Sequence, residues 1–250
     1  KAKTAFVGWN KEKTAFYFLS TKRDPRFFDL YIMDTKTWQP KLLYQNDKGM
    51  NINEVSWDEK YVVLVESITT SENKLYLVNR LTKEQKEISI PEQPGSYVAR
   101  GFSLNGKYLY YTTNSQKEFQ YLVSYNLETG ERNTVFETNW DVINFFLSRY
   151  EKYRVIAINE DGKNTLKLFD HKTGQKVESP AIADGDIISI EISDSEKYMR
   201  ISAGTSKSPA DIYFYNMETK ELKRLTNSLN PEIEQNQLVS AEVVRYKSFD

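Results

Sequence analysis

The sequence predicts an all-β protein, a β-propeller of five four-stranded antiparallel blades. Three observations carry that prediction. A unit of 45 to 47 residues repeats through the 250-residue chain, each copy divides into four short strand patterns, and no segment holds a 3.6-residue apolar period over three turns.

The repeat is marked twice in every copy. A lysine opens a strand at Lys13-Thr14, Lys60-Tyr61, Lys107-Tyr108, Lys152-Tyr153 and Lys197-Tyr198. Further on come "LYIMDTKT", "LYLVNRLT", "LVSYNLET", "LKLFDHKT" and "IYFYNMET". Here Asp34, Asn79, Asn126, Asp170 and Asn216 each precede a threonine by three residues, at Thr37, Thr82, Thr129, Thr173 and Thr219. An Asp or Asn side chain opens a turn by accepting hydrogen bonds from backbone amides two residues on. Gly130 and Gly174 follow the threonine in two copies and suit a positive φ in a bulged hairpin. Trp38, Lys83 and Lys220 hold that place in the others, which predicts mild strain or another turn shape there. Both markers read as blade-building positions and not as chemistry.

Within a copy the strands follow in order. In the third they are "SYVARGFS", "KYLYYTTN", "YLVSYN" and "RNTVFE", joined by short polar turns. Second strands such as "YVVLVE" and "YLYYTT" are nearly continuous in apolar or aromatic residues, which predicts cover on both faces. Aromatic residues are 14% of the chain, with 17 Tyr and 13 Phe, and these favour pleated sheet. The blades are expected at about 1–47, 48–93, 94–139, 140–184 and 185–229, with helix content close to nil.

Composition narrows the function classes. Lys and Arg number 34 against 35 Asp and Glu, so no net basic face for nucleic acid is expected. No apolar run reaches the length of about 18 residues that a membrane helix needs. There is no cysteine, hence no disulfide and no thiolate chemistry. Residue 1 is Lys, which reads as a chain from which something N-terminal was removed. Compartment stays open between cytoplasmic and periplasmic or exported.

The search for chemistry finds little. The single histidine, His171, sits in the turn "FDHKTG" and reads as solvated surface, since a metal site needs several ligands and a general base an orienting partner. "GFSLNG" approaches a nucleophile elbow at Gly101 and Ser103, but Asn105 replaces the last glycine and no helix follows. "NEDGKN" and "DGDIIS" place carboxylates beside Gly162 and Gly185 without the alternating ligands of a calcium loop, and both read as turns. No catalytic, cofactor or metal-ligating residue is expected. The one candidate for ligand contact is "STKRDPRFF", between the second and third strands of the first copy. Its Arg23 and Arg26, with Asp24 beside them, could meet an anionic ligand, against the plainer reading of a solvated loop.

The chain closes on "NSLNPEIEQNQ", a polar connection, and "LVSAEVVRYKSFD", which reads as one more strand over Val239 to Lys247. The last blade and this tail resemble the domain junction of the prolyl oligopeptidase family, in its acylaminoacyl-peptidase-like and dipeptidyl-peptidase-like members. Asp211-Ile212-Tyr213, Arg224-Leu225-Thr226, Glu242-Val243, Tyr246 and Ser248-Phe249-Asp250 match that family's final blade and the opening strand of its α/β-hydrolase domain. The resemblance covers about 45 residues; the other blades match only as generic propeller, shared with Tol-system propellers. It implies that residues 231–250 are a linker and the first strand of a hydrolase domain lying outside this chain, with serine, aspartate and histidine carried there. No match exists for the acidic motif by which dipeptidyl peptidases hold an amino terminus. Family propellers usually have seven or eight blades, so five implies either a short member or blades before Lys1, and ring closure stays open.

Three functions follow as expectations. The first is a non-catalytic propeller of a serine peptidase, partnered by the hydrolase domain of the same parent chain and restricting which peptides reach it. The second is a stand-alone Tol-type scaffold that binds a protein partner on one rim. The third, a propeller enzyme, is disfavoured by one histidine and no carboxylate cluster. The tail discriminates the first two, because a free scaffold has no use for a hydrolase-like opening strand.

Overall fold

A computed structural model describes residues 1–182 and 185–247. Every strand belongs to a four-stranded antiparallel sheet whose strands lie side by side in chain order. Blade 1 holds β1 (Thr4–Trp9), β2 (Ala15–Asp24), β3 (Phe27–Asp34) and β4 (Pro40–Tyr44). Blade 2 holds β5 (Asn51–Val55), β6 (Tyr61–Ser67), β7 (Asn73–Asn79) and β8 (Gln85–Glu87). Blade 3 holds β9 (Tyr97–Phe102), β10 (Tyr108–Thr113), β11 (Tyr121–Asn126) and β12 (Arg132–Phe136). Blade 4 holds β13 (Asp141–Leu147), β14 (Tyr153–Glu160), β15 (Lys163–Asp170) and β16 (Lys176–Val177). Blade 5 holds β17 (Asp186–Ile192), β18 (Tyr198–Thr205), β19 (Ser208–Asn216) and β20 (Leu222–Arg224). These are propeller blades, and the fold class is all-β as the repeat predicts. The chain forms two compact units, Lys1–Phe136 with three blades and Glu137–Asp250 with two.

The Asp/Asn-x-x-Thr anchor is a turn of one design in all five blades. The Asp34, Asn79, Asn126, Asp170 and Asn216 side chains each accept the backbone N–H of the threonine three residues on, at 2.7 to 3.2 Å. The next residue is left-handed every time: Trp38 (φ 55°), Lys83 (64°), Gly130 (75°), Gly174 (71°) and Lys220 (64°). The strain expected at the three non-glycine positions is therefore present, because a Cβ in this region crowds the following carbonyl.

The lysine anchor needs one correction. The hairpin between the first two strands of each blade has a left-handed residue at Lys13, Glu59, Gly106, Glu151 or Glu196. Lys60, Lys107, Lys152 and Lys197 come one residue later, and their carbonyls accept from Arg80, Leu127, His171 and Met217. In blade 1 that carbonyl belongs to Thr14, which accepts from Thr35 at 3.0 Å. Lys13 is thus the counterpart of Glu59, and the first marker was offset by one. In three of the adjoining pairs the lysine ammonium lies over the tyrosine ring, at 5.0 Å in Lys60–Tyr61, 5.5 Å in Lys107–Tyr108 and 5.0 Å in Lys152–Tyr153.

The core is made between blades. Tyr17, Leu30 and Leu43 of blade 1 pack on Val62, Leu64 and Val78 of blade 2. The intervening Val63 turns to the other side and joins Leu109, Tyr111 and Tyr97 of blade 3. Successive residues of β6 serve two cores, which is why that strand is apolar without alternation. In the second unit, Val155 and Leu168 of blade 4 meet Met199, Ile201 and Tyr215 of blade 5. Within the first unit, the face of blade 1 turned from blade 2 carries Phe6, Trp9, Phe16 and Phe18.

Polar latches cross the same seams. The left-handed Glu59 points its carboxylate at blade 1 and accepts the Tyr17 hydroxyl at 3.2 Å. Burial and then that carboxylate push the Tyr17 phenol up. The equivalent Glu196 is buried and reaches back to blade 4, accepting Ser148 Oγ at 2.5 Å and the Tyr150 amide at 2.7 Å.

Candidate functional site

Arg23 and Arg26 lie on a hairpin whose strands run further than expected, with Asp24 opposite Phe27 across a tight turn. Asp24 accepts Arg26 through its side chain at 2.8 Å and through its backbone N–H at 2.9 Å, and these bonds hold the carboxyl down at about 2. Arg23 forks onto Asp29, Nε at 2.8 Å and Nη2 at 2.9 Å, and also donates to the Asn46 carbonyl at 3.1 Å. Asp29 is fully buried and accepts the Asn46 amide at 2.8 Å as well. Arg23 is thereby a brace joining the β2–β3 hairpin to the link toward blade 2. Arg26, with 73% of its side chain exposed, is the guanidinium of the pair that faces outward. Asp29, the group that organises this corner, is not singled out by the sequence; its only signal there is a carboxylate set among the apolar residues of β3.

The other motifs resolve into structure. His171 is half-buried, not solvated as expected; its Nδ1 is enclosed with no hydrogen-bond partner, and burial pulls its pKa down. Ser103 is a turn lock: its hydroxyl donates to Asn105 at 2.7 Å and accepts the Tyr108 amide at 2.9 Å, as Ser56 does for Tyr61 and Ser148 for Tyr153. Asp161 and Gly162 (φ 55° and 76°) make a two-residue type I′ turn between β14 and β15. Part of the second calcium-like stretch, at Asp184, lies outside the described residues. Among the described residues no group of three His, Asp or Glu converges as a metal would require.

A polar feature emerges instead on the first strands, which are the innermost in a propeller blade. Each carries a one-residue bulge, the extra residue being Val7, Asn53 or Arg100, six residues before the left-handed hairpin residue, in blades 1 to 3, and Ile143 or Ile188, eight residues before it, in blades 4 and 5. A bulge re-aims one side chain out of the pleat. In blades 2 and 3 these are Asn53, which accepts the Ala99 amide at 3.1 Å, and Arg100, which donates to Thr112 Oγ1 at 3.1 Å. Glu54 stands beside Asn53. Burial pushes its carboxyl up to about 7, and the Arg100 charge recovers only part of that penalty. Burial likewise lowers Arg100. Two opposite charges held in poor solvent on neighbouring inner strands cost stability, and such sites cluster where a protein binds something. The arrangement offers recognition of a polar group, with no nucleophile–base pairing for covalent chemistry. Period alone could not flag Glu54, because the matching register position holds Gly8, Gly101 and Phe146 in three copies and, in the fifth, Glu191, a solvent-exposed glutamate.

In the second unit, the tail crosses the ends of two hairpins. Residues 238–247, read from the sequence as the opening strand of a hydrolase domain, pair with no sheet of the described residues, and Val239, Val244 and Tyr246 are 82%, 76% and 89% exposed. β-Propensity supplies no partner edge, and a single extended segment has no ladder to join. The tail is held by the Ala241 amide on Ser206 Oγ at 3.0 Å and by an ion pair of Arg245 with Asp161. Beneath it lies a cleft of about 640 Å³ bordered by Asp161, Lys163, Asp186, Lys207, Pro209 and Glu242. Ser248, Phe249 and Asp250 of the junction motif lie outside the described residues. The motif's other half has a structural reason. Asp211 is buried, which by itself would raise its pKa; yet it is held at about 2 because Thr226 Oγ1 (2.8 Å), the Ser228 amide (2.9 Å) and Arg224 all donate to it.

The family model of the prolyl oligopeptidase N-terminal β-propeller domain matches residues 1–228, all five blades. The chain belongs to the prolyl oligopeptidase family. No hydrolase domain is present within its 250 residues. Prolyl oligopeptidase B from Galerina marginata, in complex with a 35-residue hydrolysis and macrocyclization substrate, superposes with TM-score 0.68 at 17% identity, over 93% of this chain and 35% of that one. TolB from Acinetobacter baumannii gives 0.63 at 13%, over 90% and 55%. A TolB from Agrobacterium tumefaciens gives 0.63 at 11%, over 90% and 81%. At these identities the structural likeness speaks for the fold alone. The chain spans about half the length of the Acinetobacter TolB and about a third of the fungal peptidase. No curated protein sequence matches it.

Proposed function

We propose that this propeller is the non-catalytic part of a serine peptidase, limiting by size which peptides reach a hydrolase site carried elsewhere in the parent protein. The match of the family's propeller model to residues 1–228 carries this reading. In that family the propeller is joined to a catalytic domain, and residues 231–247 leave blade 5 as an exposed, unpaired segment of the kind a domain connection needs. The mechanism is steric. Blades latched to one another through Glu59–Tyr17 and Glu196–Ser148 resist spreading, so an opening between them admits chain ends and loops and excludes folded proteins.

The experiment compares the parent protein with a form lacking the propeller, on a short peptide and on a folded protein containing the same cleavage sequence. The reading requires that the intact parent cleave only the peptide. If it cleaves both at similar rates, the gating role is wrong. A Tol-type scaffold remains the second reading, favoured by the likeness to two TolB structures; a parent with no hydrolase domain after residue 250 would select it.

A further inference from the structure

At the seam of blades 2 and 3, within the first unit, one buried tyrosine is held between two cations. Tyr125 of β11 has Lys86 Nζ 5.6 Å from its ring centroid and Arg132 Cζ 5.1 Å from it. Arg132 is pinned across the seam, donating through Nη2 to the Ile88 carbonyl at 2.8 Å. Both cations are exposed, and among the described residues neither pairs with a carboxylate; Glu87, next to Lys86 in the chain, goes to Lys74 at 4.0 Å.

The Tyr125 hydroxyl is enclosed yet has no hydrogen-bond partner in the protein. Buried tyrosine hydroxyls usually find one, so an orphan needs a reason. Gly130 leaves room beside it. A carbon placed on the Gly130 Cα would lie 3.4 Å from both the Tyr125 hydroxyl and Lys86 Nζ. An atom in that space therefore sits between an O–H donor and an ammonium. The positive field of Arg132 reaches into the same seam: burial pushes the Tyr111 phenol up to about 12, and Arg132 recovers part of that rise.

The repeat shows that the fold does not require this arrangement. Lys86 is paired with Leu77, two residues before Asn79, as Val177 is with Leu168, two residues before Asp170. Arg132 is paired with Tyr125 as Leu222 is with Tyr215. The seam of blades 4 and 5 thus sets Tyr215 in one apolar cluster with Val177 and Leu222, and it has Lys220 where blade 3 has Gly130. Two cations and a glycine around Tyr125 are an addition to the propeller plan, not part of its core.

We propose that Lys86, Tyr125, Gly130 and Arg132 form a binding site for a small oxyanion, a phosphate or a carboxylate. One anion oxygen enters the space beside Gly130 and accepts hydrogen bonds from Lys86 Nζ and the Tyr125 O–H, while Arg132 contributes its charge. The long, exposed side chain of Lys86 covers the hydroxyl and swings aside to admit the anion.

A nuclear magnetic resonance titration of the isotope-labelled full chain tests this, with inorganic phosphate and acetate added separately at constant ionic strength and chloride as the control. The expected result is a saturable shift of the Gly130 and Arg132 amides, half complete at ~1 mM. A response to phosphate alone or to acetate alone names the source, and a response to both means that any such oxyanion is taken. Lys86→Met and Tyr125→Phe should each weaken binding about tenfold, the scale of a hydrogen bond to a charged group. Gly130→Ala, which puts a methyl group in the space, should block it. Without added anion, Tyr125→Phe should leave the melting temperature in place, since its hydroxyl has no partner to lose. No saturable shift with either anion overturns the proposal. So does an equal shift with chloride, or a Tyr125→Phe variant that binds as tightly as the parent chain.

Discussion

Glu54→Gln is the substitution whose effect can be worked out furthest. In the folded chain burial pushes this carboxyl up to about 7, against an ordinary value of 4.5. Between those two values the folded state binds more proton than the unfolded state, so stability falls as pH rises through that window. Above it, the folded chain carries the whole penalty of an ionised, poorly solvated carboxylate. At about 1.36 kcal/mol per pH unit of displacement, the penalty comes to about 3 kcal/mol. That figure is a ceiling, because solvent reaches one side of the side chain while protein packs round the rest. Gln has nearly the same shape and no charge. The variant should match the parent chain near pH 4.5 and exceed it by up to about 3 kcal/mol near pH 8. Urea unfolding, followed by tryptophan fluorescence and far-ultraviolet circular dichroism at several pH values, reads the difference directly. A difference that stays flat between pH 4.5 and 8, or a variant less stable than the parent at pH 8, would refute the claim that burial dominates this site. Arg100→Met supplies the converse: removing the charge that steadies Glu54 should lower stability more at pH 8 than at pH 5.

Glu196→Ala removes the carboxylate that receives Ser148 Oγ and the Tyr150 amide across the blade 4–blade 5 seam; a loss of about 1–3 kcal/mol is expected in the same unfolding assay, the cost of leaving buried donors unmet. Lys83→Gly relieves a left-handed backbone at a position where two sister blades already have glycine, and should raise stability by roughly 1 kcal/mol, whereas Gly130→Ala should lower it by a similar amount. Ending the chain after Leu229 removes a tail anchored by one amide and one exposed ion pair, so the melting temperature should move by no more than a few degrees; a collapse of folding would show the tail to be integral to blade 5.

Much of this protein is local and therefore legible in one dimension. The Asp/Asn-x-x-Thr turns form because a side chain bonds an amide three residues away, an interaction that needs nothing from the rest of the fold. The four-strand division of each blade follows from the alternation of apolar runs with polar turns, and the apolar continuity of "YVVLVE" records two opposed cores before either is seen. The same regularity misplaced Lys13, because a recurring letter is not a recurring backbone conformation; only the left-handed φ shows that Thr14 takes the place of Lys60. The tail shows a related limit. Val243, Val244 and Tyr246 have the propensity for a strand, but a strand exists only when a second edge satisfies its backbone, and propensity says nothing about where that edge is. Arg23 and Arg26 looked like free cations in a loop; their long side chains fold back onto Asp29 and Asp24, a pairing that sequence distance alone left open. Glu54 is the clearest case of what tertiary structure alone decided. Nothing in "NINEV" distinguishes a solvated glutamate from one held between neighbouring inner strands, where the surrounding protein, not the residue, sets the free energy of its charge.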